Sequence, residues 1–487
     1  MPDTIFKFGV TRRTAIAGAL GTAALAATVP GLAQSPGRKP NILYIMADDL
    51  GYADLSCYGR RDYQTPVLDG LAREGMMFTH AYANSAVCTA TRVGLITGRY
   101  QSRLLVGLHE PLGQQDVCLP PEHPTIASLL RRAGYRTTLI GKWHMGSLPK
   151  YGPLKSGYDE FWGIYGGGVD YFRHGFGGRS DLWDGETRVE ETGYVTDLLG
   201  DRTLETLDKR KADGKPFFIS LHFTAPHWPW QGDDEEGRAE SERISGSPSE
   251  GGGGILHYDG GTLATYARMM KSLDDNIGRV LQRLAALGLD RDTIVVFTSD
   301  NGGERFSDTW PFTGKKTELL EGGVRIPAIV RWPGVVSAGS QSTVPIISMD
   351  WLPTFVAAGG GQQDPAFPSD GVDIRAALTG AMLPERSLFW RYGNMGQRAH
   401  RRGAYKYLKI NDNEFLFDVV ADPLERANLK GRQPERFAEL KAGWEQWDAG
   451  MLHDPTAPSA GIAPANMADH FNPPPPPPPP VAPVAAD

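Results

Sequence analysis

The chain has little cysteine. Cys57, Cys88 and Cys118 are the three thiols among 487 residues, too few for a disulfide framework. No HxxxH or CxxC spacing occurs, which removes the common zinc arrangements. No basic tract occurs either. The 57 acidic and 50 basic side chains give a net charge of −7, so a nucleic-acid partner is not expected. Past the first forty residues no apolar run is long enough to span a bilayer. The whole chain is 40% hydrophobic and 22% charged, ordinary for a soluble globular protein. The length suits one large domain with a smaller companion.

Both ends read as something other than fold. "TRRTAIAGALGTAALAATVPGLAQ" carries Arg12 and Arg13 ahead of a weakly apolar Ala/Gly stretch and a small-residue end near Gly31 and Ala33. This is the pattern of a twin-arginine export signal over residues 1–33. It predicts passage through the twin-arginine machinery to a periplasmic or secreted location, with no stable membrane span in the mature chain. At the other end "NPPPPPPPPVAPVAAD" is a polyproline II tract, and residues 451–487 are expected to form a disordered tail.

Between the ends, apolar runs alternate with amphipathic helices. "NILYIMADD" (41–49) ends in two carboxylates, and "TIASLLRRAGYRTTLIGKWH" reads as helix, Gly break and strand with Lys142 and His144 just beyond. "KPFFISLHFTAPH" ends at His227, and "DTIVVFTSDNGG" ends in Ser299, Asp300 and Asn301. The intervening helix places Leu263, Tyr266, Met270, Leu273, Ile277, Val280 and Leu284 on one face. The pattern predicts an α/β fold with a large, mostly parallel central sheet flanked by helices, over residues 38–380. Ligands of such sheets bind beyond the carboxyl ends of the strands, where every polar cluster above falls.

Asp48, Asp49, Asp300 and Asn301 supply hard oxygen donors, which favour calcium or magnesium. Either pair alone also fits a helix cap or a Gly-rich turn. Together, at the ends of two parallel strands, they point to a metal.

Cys88 opens the stretch Cys-Thr-Ala-Thr-Arg (88–92), followed by "LITGR" (95–99). With "ADD", "GKWH", "APH", "SDNGG" and "GKKTELLEGGVRIPAIVRWPG", in that family's order, the chain resembles the sulfatases of the alkaline phosphatase superfamily from about residue 40 to about 430. The family signature is CxPxR or CxAxR, and Ala90 holds the variable position here. The resemblance implies that a formylglycine-generating enzyme oxidises Cys88 to formylglycine, whose aldehyde hydrates to a diol. One hydroxyl attacks the sulfur of a sulfate ester and the alcohol leaves. The second hydroxyl then loses its proton and sulfate is eliminated. It also implies that Asp48, Asp49, Asp300, Asn301 and the converted Cys88 hold a divalent cation, calcium before magnesium. Arg92 would hold the formylglycine and its neighbouring carboxylates. Lys142 and His144 would flank the diol, with His144 the base for elimination. His227 and Lys316 would grip the sulfate and protonate the leaving oxygen. Lys316 is preferred to Lys315 by its spacing to Glu321.

Outside these motifs, "GIYGGGVDYF" (163–172) offers Tyr165, Asp170 and Tyr171 as substrate contacts, or a tight turn with packed aromatics. The acidic segment 230–254 reads as a mobile loop near the site mouth that would repel a polysulfated chain. Residues 381–450 read as a smaller antiparallel sheet with a helix over 434–447, and Arg398, His400, Arg401 and Arg402 as a solvated edge. The predicted function is hydrolysis of an aryl sulfate or a sulfated carbohydrate. The alternatives are a phosphonate or phosphate ester hydrolase of the same superfamily, and a non-catalytic binder of sulfated glycans.

Overall fold

All seven residues of Asn41–Ala47 are buried, as a strand covered on both faces requires. Alternation then divides it. Ile42, Tyr44 and Met46 join one apolar core, and Leu43, Ile45 and Ala47 join another on the opposite face. The computed structural model describes residues 39–111, 117–176, 179–246 and 260–453. The export-signal assignment, the segment 247–259 and the tail beyond 453 lie outside these residues.

The main sheet contains β1 (Asn41–Ala47), β2 (Met76–Tyr82), β3 (Arg136–Lys142), β4 (Glu160–Ile164), β5 (Leu182–Asp184), β6 (Thr187–Arg188), β7 (Phe217–His222), β8 (Thr293–Ser299), β9 (Arg325–Arg331), β10 (Ser340–Ser342) and β11 (Ile346–Ile347). Its order is β10-β2-β9-β8-β1-β7-β3-β4-β5-β6, with β11 also pairing β2. The centre β8-β1-β7-β3-β4 is parallel throughout. The antiparallel pairs of β9 and β5 flank it. The first core is covered by α2 (Cys88–Thr97), α3 (Ile126–Arg132) and α7 (Trp351–Ala358), and the second by α1 (Pro66–Glu74), α4 (Val195–Asp213) and α6 (Leu263–Ala286).

Helix α6 buries Tyr266, Met270, Leu273, Ile277, Val280 and Leu284 as its spacing predicts, but Leu263 is 46% exposed. Leu263 follows the N-cap Thr262, whose reciprocal hydrogen bonds with Thr265 set the helix start, so it falls ahead of the packed turns. The segment 230–254 is not all loop either. Residues Glu235–Gly246 form helix α5, with two acidic residues in its first turn, where the helix dipole favours them. Ser241 Oγ ties it to Asp170 Oδ1 at 2.8 Å.

The second sheet is antiparallel, with β12 (Ser387–Tyr392), β13 (Gln397–Arg402), β14 (Tyr405–Ile410) and β15 (Asn413–Asp418) in sequence order. Helix α8 (Pro434–Asp448) covers one face through Leu440 and Trp444. Its other face joins Tyr82, Val87, Ala90 and Leu319 in a shared apolar cluster. The basic cluster of β13 is a solvated edge only in part: Arg402 is exposed and Arg398 half-buried, while the other two turn inward. Arg401 and His400 are each 3% exposed, and Arg401 Nη1 donates to Tyr82 Oη at 2.6 Å.

A buried charge network sews the two sheets together. Glu321 accepts from Lys406 Nζ at 2.9 Å, Tyr82 Oη at 2.6 Å and Arg325 Nη1 at 3.2 Å. Lys406 also meets Glu425 at 3.0 Å. Burial pushes the Glu321 carboxyl up, but Lys406, Arg325 and Arg401 outweigh it and hold it at about 2. Its share of stability is present above the ordinary value of 4.5 and is lost as pH falls through about 2. Glu425 lies the other way, pushed up to about 7 by burial and then by Glu321. Lys406→Ala leaves Glu425 buried without its cation and Glu321 with Arg325 alone in direct contact. We expect a loss of about 3–5 kcal/mol at pH 8. The loss shrinks at pH 5, where Glu425 takes up a proton. Urea unfolding at the two pH values checks this, and an equal loss at both would refute it.

Candidate active site

Parallel register decides where the chemistry collects. Ala47 pairs Ser299, Met46 pairs His222, His222 pairs Gly141, and Lys142 pairs Ile164. Adjacent strand ends therefore stand about 4.8 Å apart. The residues just beyond, Asp48–Asp49, Asp300–Asn301 and Lys142–His144, emerge along one edge. The strand before His227 ends earlier than its sequence suggests, at His222, and a loop carries His227 back to the same place. Helix α2 adds Cys88 as its first residue.

The side chains converge. Cys88 Sγ lies 3.4 Å from Asp48 Oδ1 and 3.7 Å from Asp49 Oδ1. Arg92, one helical turn on, donates to Asp300 Oδ2 through Nε at 3.1 Å and Nη2 at 2.8 Å, and to the Lys142 carbonyl through Nη1 at 2.9 Å. Lys142 Nζ donates to Asp48 Oδ2 at 2.5 Å, and Lys316 Nζ to Asp49 Oδ2 at 2.6 Å. His227 Nε2 stands 3.4 Å from Asp49 Oδ2. Its Nδ1 is 2.5 Å from the Trp228 carbonyl, a contact that needs the proton on Nδ1. His144 sits in left-handed backbone at φ 57° and its two ring nitrogens are buried without a partner.

Burial holds the Cys88 proton on strongly, against the pull of Lys142 and Lys316. The thiol as it stands is a poor nucleophile. Burial drives His144 and His227 toward the neutral form, His227 down to about 3. Burial also disfavours the charged form of both lysines, but Asp48 keeps Lys142 above its ordinary value and Asp49 does the same for Lys316. Asp48 is pushed well up by burial and then by Asp300. Asp49 and Asp300 are held down despite burial, the first mainly by Lys316 and the second by Arg92.

The donor set fits a hard dication. One ligand atom each from Asp48, Asp49, Cys88 and His227 lie within 4.8 Å of one another. Asn301 Oδ1 is buried without a partner while its Nδ2 donates to Asp49 Oδ1 at 2.7 Å. An orphaned amide oxygen beside two carboxylates is what a calcium-type site supplies. Asp300 stands in the second rank of this geometry. Its Oδ1 accepts from Asp49 N at 3.1 Å and its Oδ2 takes the Arg92 fork, although each oxygen keeps a second lone pair.

Three expected substrate contacts turn inward. Tyr171 is fully buried and donates to the carbonyls of Thr224 at 3.0 Å and His227 at 2.8 Å. Asp170 accepts from the amides of Phe172 and Arg173 and from Gln231 and Ser241. Tyr165 packs against Phe161 and Trp183, with its hydroxyl on Gly185 O at 3.4 Å. These residues shape the loop instead of meeting a ligand. The part of "GIYGGGVDYF" that reaches the site is its glycines. A Cβ on Gly167 would stand 2.4 Å from the His144 ring, and one on Gly168 3.1 Å from the His227 ring. Sequence reasoning also passed over Glu304, 3.3 Å from Lys316 and pushed up to about 7 by burial. It stands just past "SDNGG", which was the available signal. No disulfide joins Cys57 to Cys118.

The sulfatase family model matches residues 40–361. N-acetylgalactosamine-6-sulfatase from Sus scrofa is 31% identical over 399 residues, 76% of this chain and 72% of that protein. Human arylsulfatase A is 29% identical over 91% of this chain and 94% of its own length. The crystal structures of Ps i-CgsB, free and in complex with k-i-k-neocarrahexaose, superpose at a TM-score of 0.76 with 29% identity, covering 86% of this chain and 96% of theirs.

Packing alone holds the His144 ring, since neither nitrogen is bonded. Gly167→Ala must therefore displace it. We expect kcat to fall about 10- to 100-fold, the range for a misplaced catalytic group, with the unfolding midpoint near that of the unsubstituted protein. Steady-state kinetics and thermal unfolding check this. An unaltered kcat would show that the ring is free to move aside.

Proposed function

The chain belongs to the sulfatase family and is a sulfuric ester hydrolase, and from that premise we propose that it hydrolyses the sulfate ester of a carbohydrate, with residue 88 converted to formylglycine and a calcium ion held by Asp48, Asp49, Asp300 and Asn301. The carbohydrate is favoured by N-acetylgalactosamine-6-sulfatase and by the neocarrahexaose complex of Ps i-CgsB. One observation carries the catalytic reading. Cys88 is a buried thiol whose proton is held on, set against two carboxylates and bonded to no histidine. Such a group is useless as a thiol and makes sense as the precursor of another nucleophile.

A hydrated aldehyde at this position would supply that nucleophile, and the cation would lower the acidity barrier of its hydroxyl and offset sulfate charge. The remaining work falls to the chain. Three carboxylates, Asp48, Asp49 and Asp300, face three cations, Arg92, Lys142 and Lys316. Addition of a dication turns this near-neutral set positive, as an anionic ester requires. Arg92 fixes Asp300 and the end of β3. Lys316, kept protonated by Asp49, holds the proton for the leaving oxygen, with His227 Nε2 beside it. His144, neutral with unbonded nitrogens, accepts the proton in the elimination step. The phosphate ester alternative asks for a second metal set, and among the described residues only one group of potential ligands meets. Arg12 and Arg13 support export by the twin-arginine route to the periplasm or beyond, with a formylglycine-generating enzyme as the maturation partner.

Mass spectrometry of the peptide Glu74–Arg92 from the native host is expected to show the mass loss of thiol-to-aldehyde conversion and to take an aldehyde-specific tag. An intact thiol throughout, in a host that has the converting enzyme, would remove the proposed nucleophile. Chelation of calcium is expected to lower sulfatase activity at least tenfold, with recovery on adding calcium back. Full activity after exhaustive chelation would sink the metal assignment.

A further inference from the structure

Lys316 reaches the cluster from a segment without helix or strand, so something other than a strand end must hold its ammonium. Backbone bonds do the first part. Lys316 N donates to Gly303 O at 3.0 Å, and Thr317 N donates to Ala86 O at 2.8 Å, two residues before Cys88. Glu304 follows Gly303, and its own backbone is fixed. Its carbonyl accepts from Ser307 N at 2.9 Å. Ser307 Oγ and Asp308 N in turn donate to the buried Asp54 carboxylate at 2.6 Å and 2.8 Å. Asp54 is itself held by Arg60 and Tyr266.

The side chain of Glu304 is 9% exposed, and its Oε1 stands 3.3 Å from Lys316 Nζ. That oxygen is buried with no hydrogen bond of its own. A buried carboxylate oxygen left in this state is costly, and the ammonium is the donor at hand. The other anchor is Asp49 Oδ2, 2.6 Å from the same nitrogen. Asp49 has further claims on it. Its Oδ1 accepts from Asn301 Nδ2 at 2.7 Å, and its Oδ2 faces His227 Nε2 at 3.4 Å. An ammonium has three N–H bonds. Held by one carboxylate, it can turn about that contact. Held by two, it has a single direction left for the third.

We propose that Glu304 is a positioning residue for Lys316: with Asp49 it fixes the ammonium so that the remaining N–H meets the leaving oxygen of the sulfate ester. This rests on the proton-donor role given to Lys316 above. A carboxylate that only balanced a buried charge would affect all esters alike. One that aims a proton matters most where the leaving oxygen is most basic.

The test uses full-length, aldehyde-bearing enzyme with phenyl sulfate and 4-nitrophenyl sulfate, esters of similar shape. 4-Nitrophenolate departs readily without a proton, and phenolate does not. Glu304→Gln keeps the shape and removes the charge. It is expected to lower kcat/KM for phenyl sulfate about tenfold, and for the nitrophenyl ester about threefold or less. Glu304→Asp keeps the charge but draws it back by one methylene, and is expected to open the same gap. Lys316→Ala is expected to open a wider one, and Glu304→Gln to add nothing in that background. Matching unfolding midpoints verify that the variants fold. Equal losses on both esters, full activity of Glu304→Asp, or a Glu304→Gln loss that persists without Lys316 would overturn the positioning role. A Lys316→Ala variant that slows both esters alike defeats the proton-donor reading itself, and the positioning role with it.

Discussion

The Arg92 guanidinium, fully buried, is the interaction on which the site depends. Its fork closes on Asp300 beyond β8 and its third bond closes on the Lys142 carbonyl at the end of β3. One side chain on α2 thus joins two strand ends that sequence holds far apart. A buried guanidinium tolerates no missing partner, and neither do the carboxylates around it. Asp48 answers Lys142 and Arg92, and Asp49 answers Lys316. Each charge is stable only because the others are present, so the motifs that carry them must fold as a set.

That constraint reaches back into the motif that precedes any chemistry. All ten residues of α2 are buried, and a helix can lie so deep only where its neighbours come close. A Cβ on Gly94 would stand 2.4 Å from the Asn84 amide. Gly98 ends the helix in left-handed conformation at φ 67°, and its carbonyl accepts from Ser369 Oγ at 2.7 Å and Asp370 N at 2.9 Å. The "LITGR" continuation is therefore the physical condition for placing residue 88 at the floor of the cluster. The same depth explains the thiol. At that burial a cysteine keeps its proton and is inert as a thiol.

Much of this was legible in the sequence because parallel sheets leave a simple trace. Each apolar run ends at a predictable point, and the residues just past β1, β3 and β8 proved to share one edge. Asp48, Asp49, Lys142, His144, Asp300 and Asn301 were visible for that reason, and Cys88 and Arg92 through their motif. The reading faltered where position depends on loops. His227 lies five residues past its strand, and Lys316 follows a long irregular segment. Tyr165, Asp170 and Tyr171 were singled out because tyrosine and aspartate have chemistry to offer. The glycines between them reach the histidines, because a residue without a side chain leaves room for one. Arg401 and His400 looked like surface charge in a local window, and only tertiary packing shows them buried.

The division between legible and illegible follows from which structure sets a position. The residues just past β1, β3 and β8 are set by strand ends of a single sheet, so a linear pattern announces them. The second sheet is fastened to the first through Gln397 and the Glu321 network. Those bonds join segments that follow no shared local rule, so only tertiary packing brings their residues together.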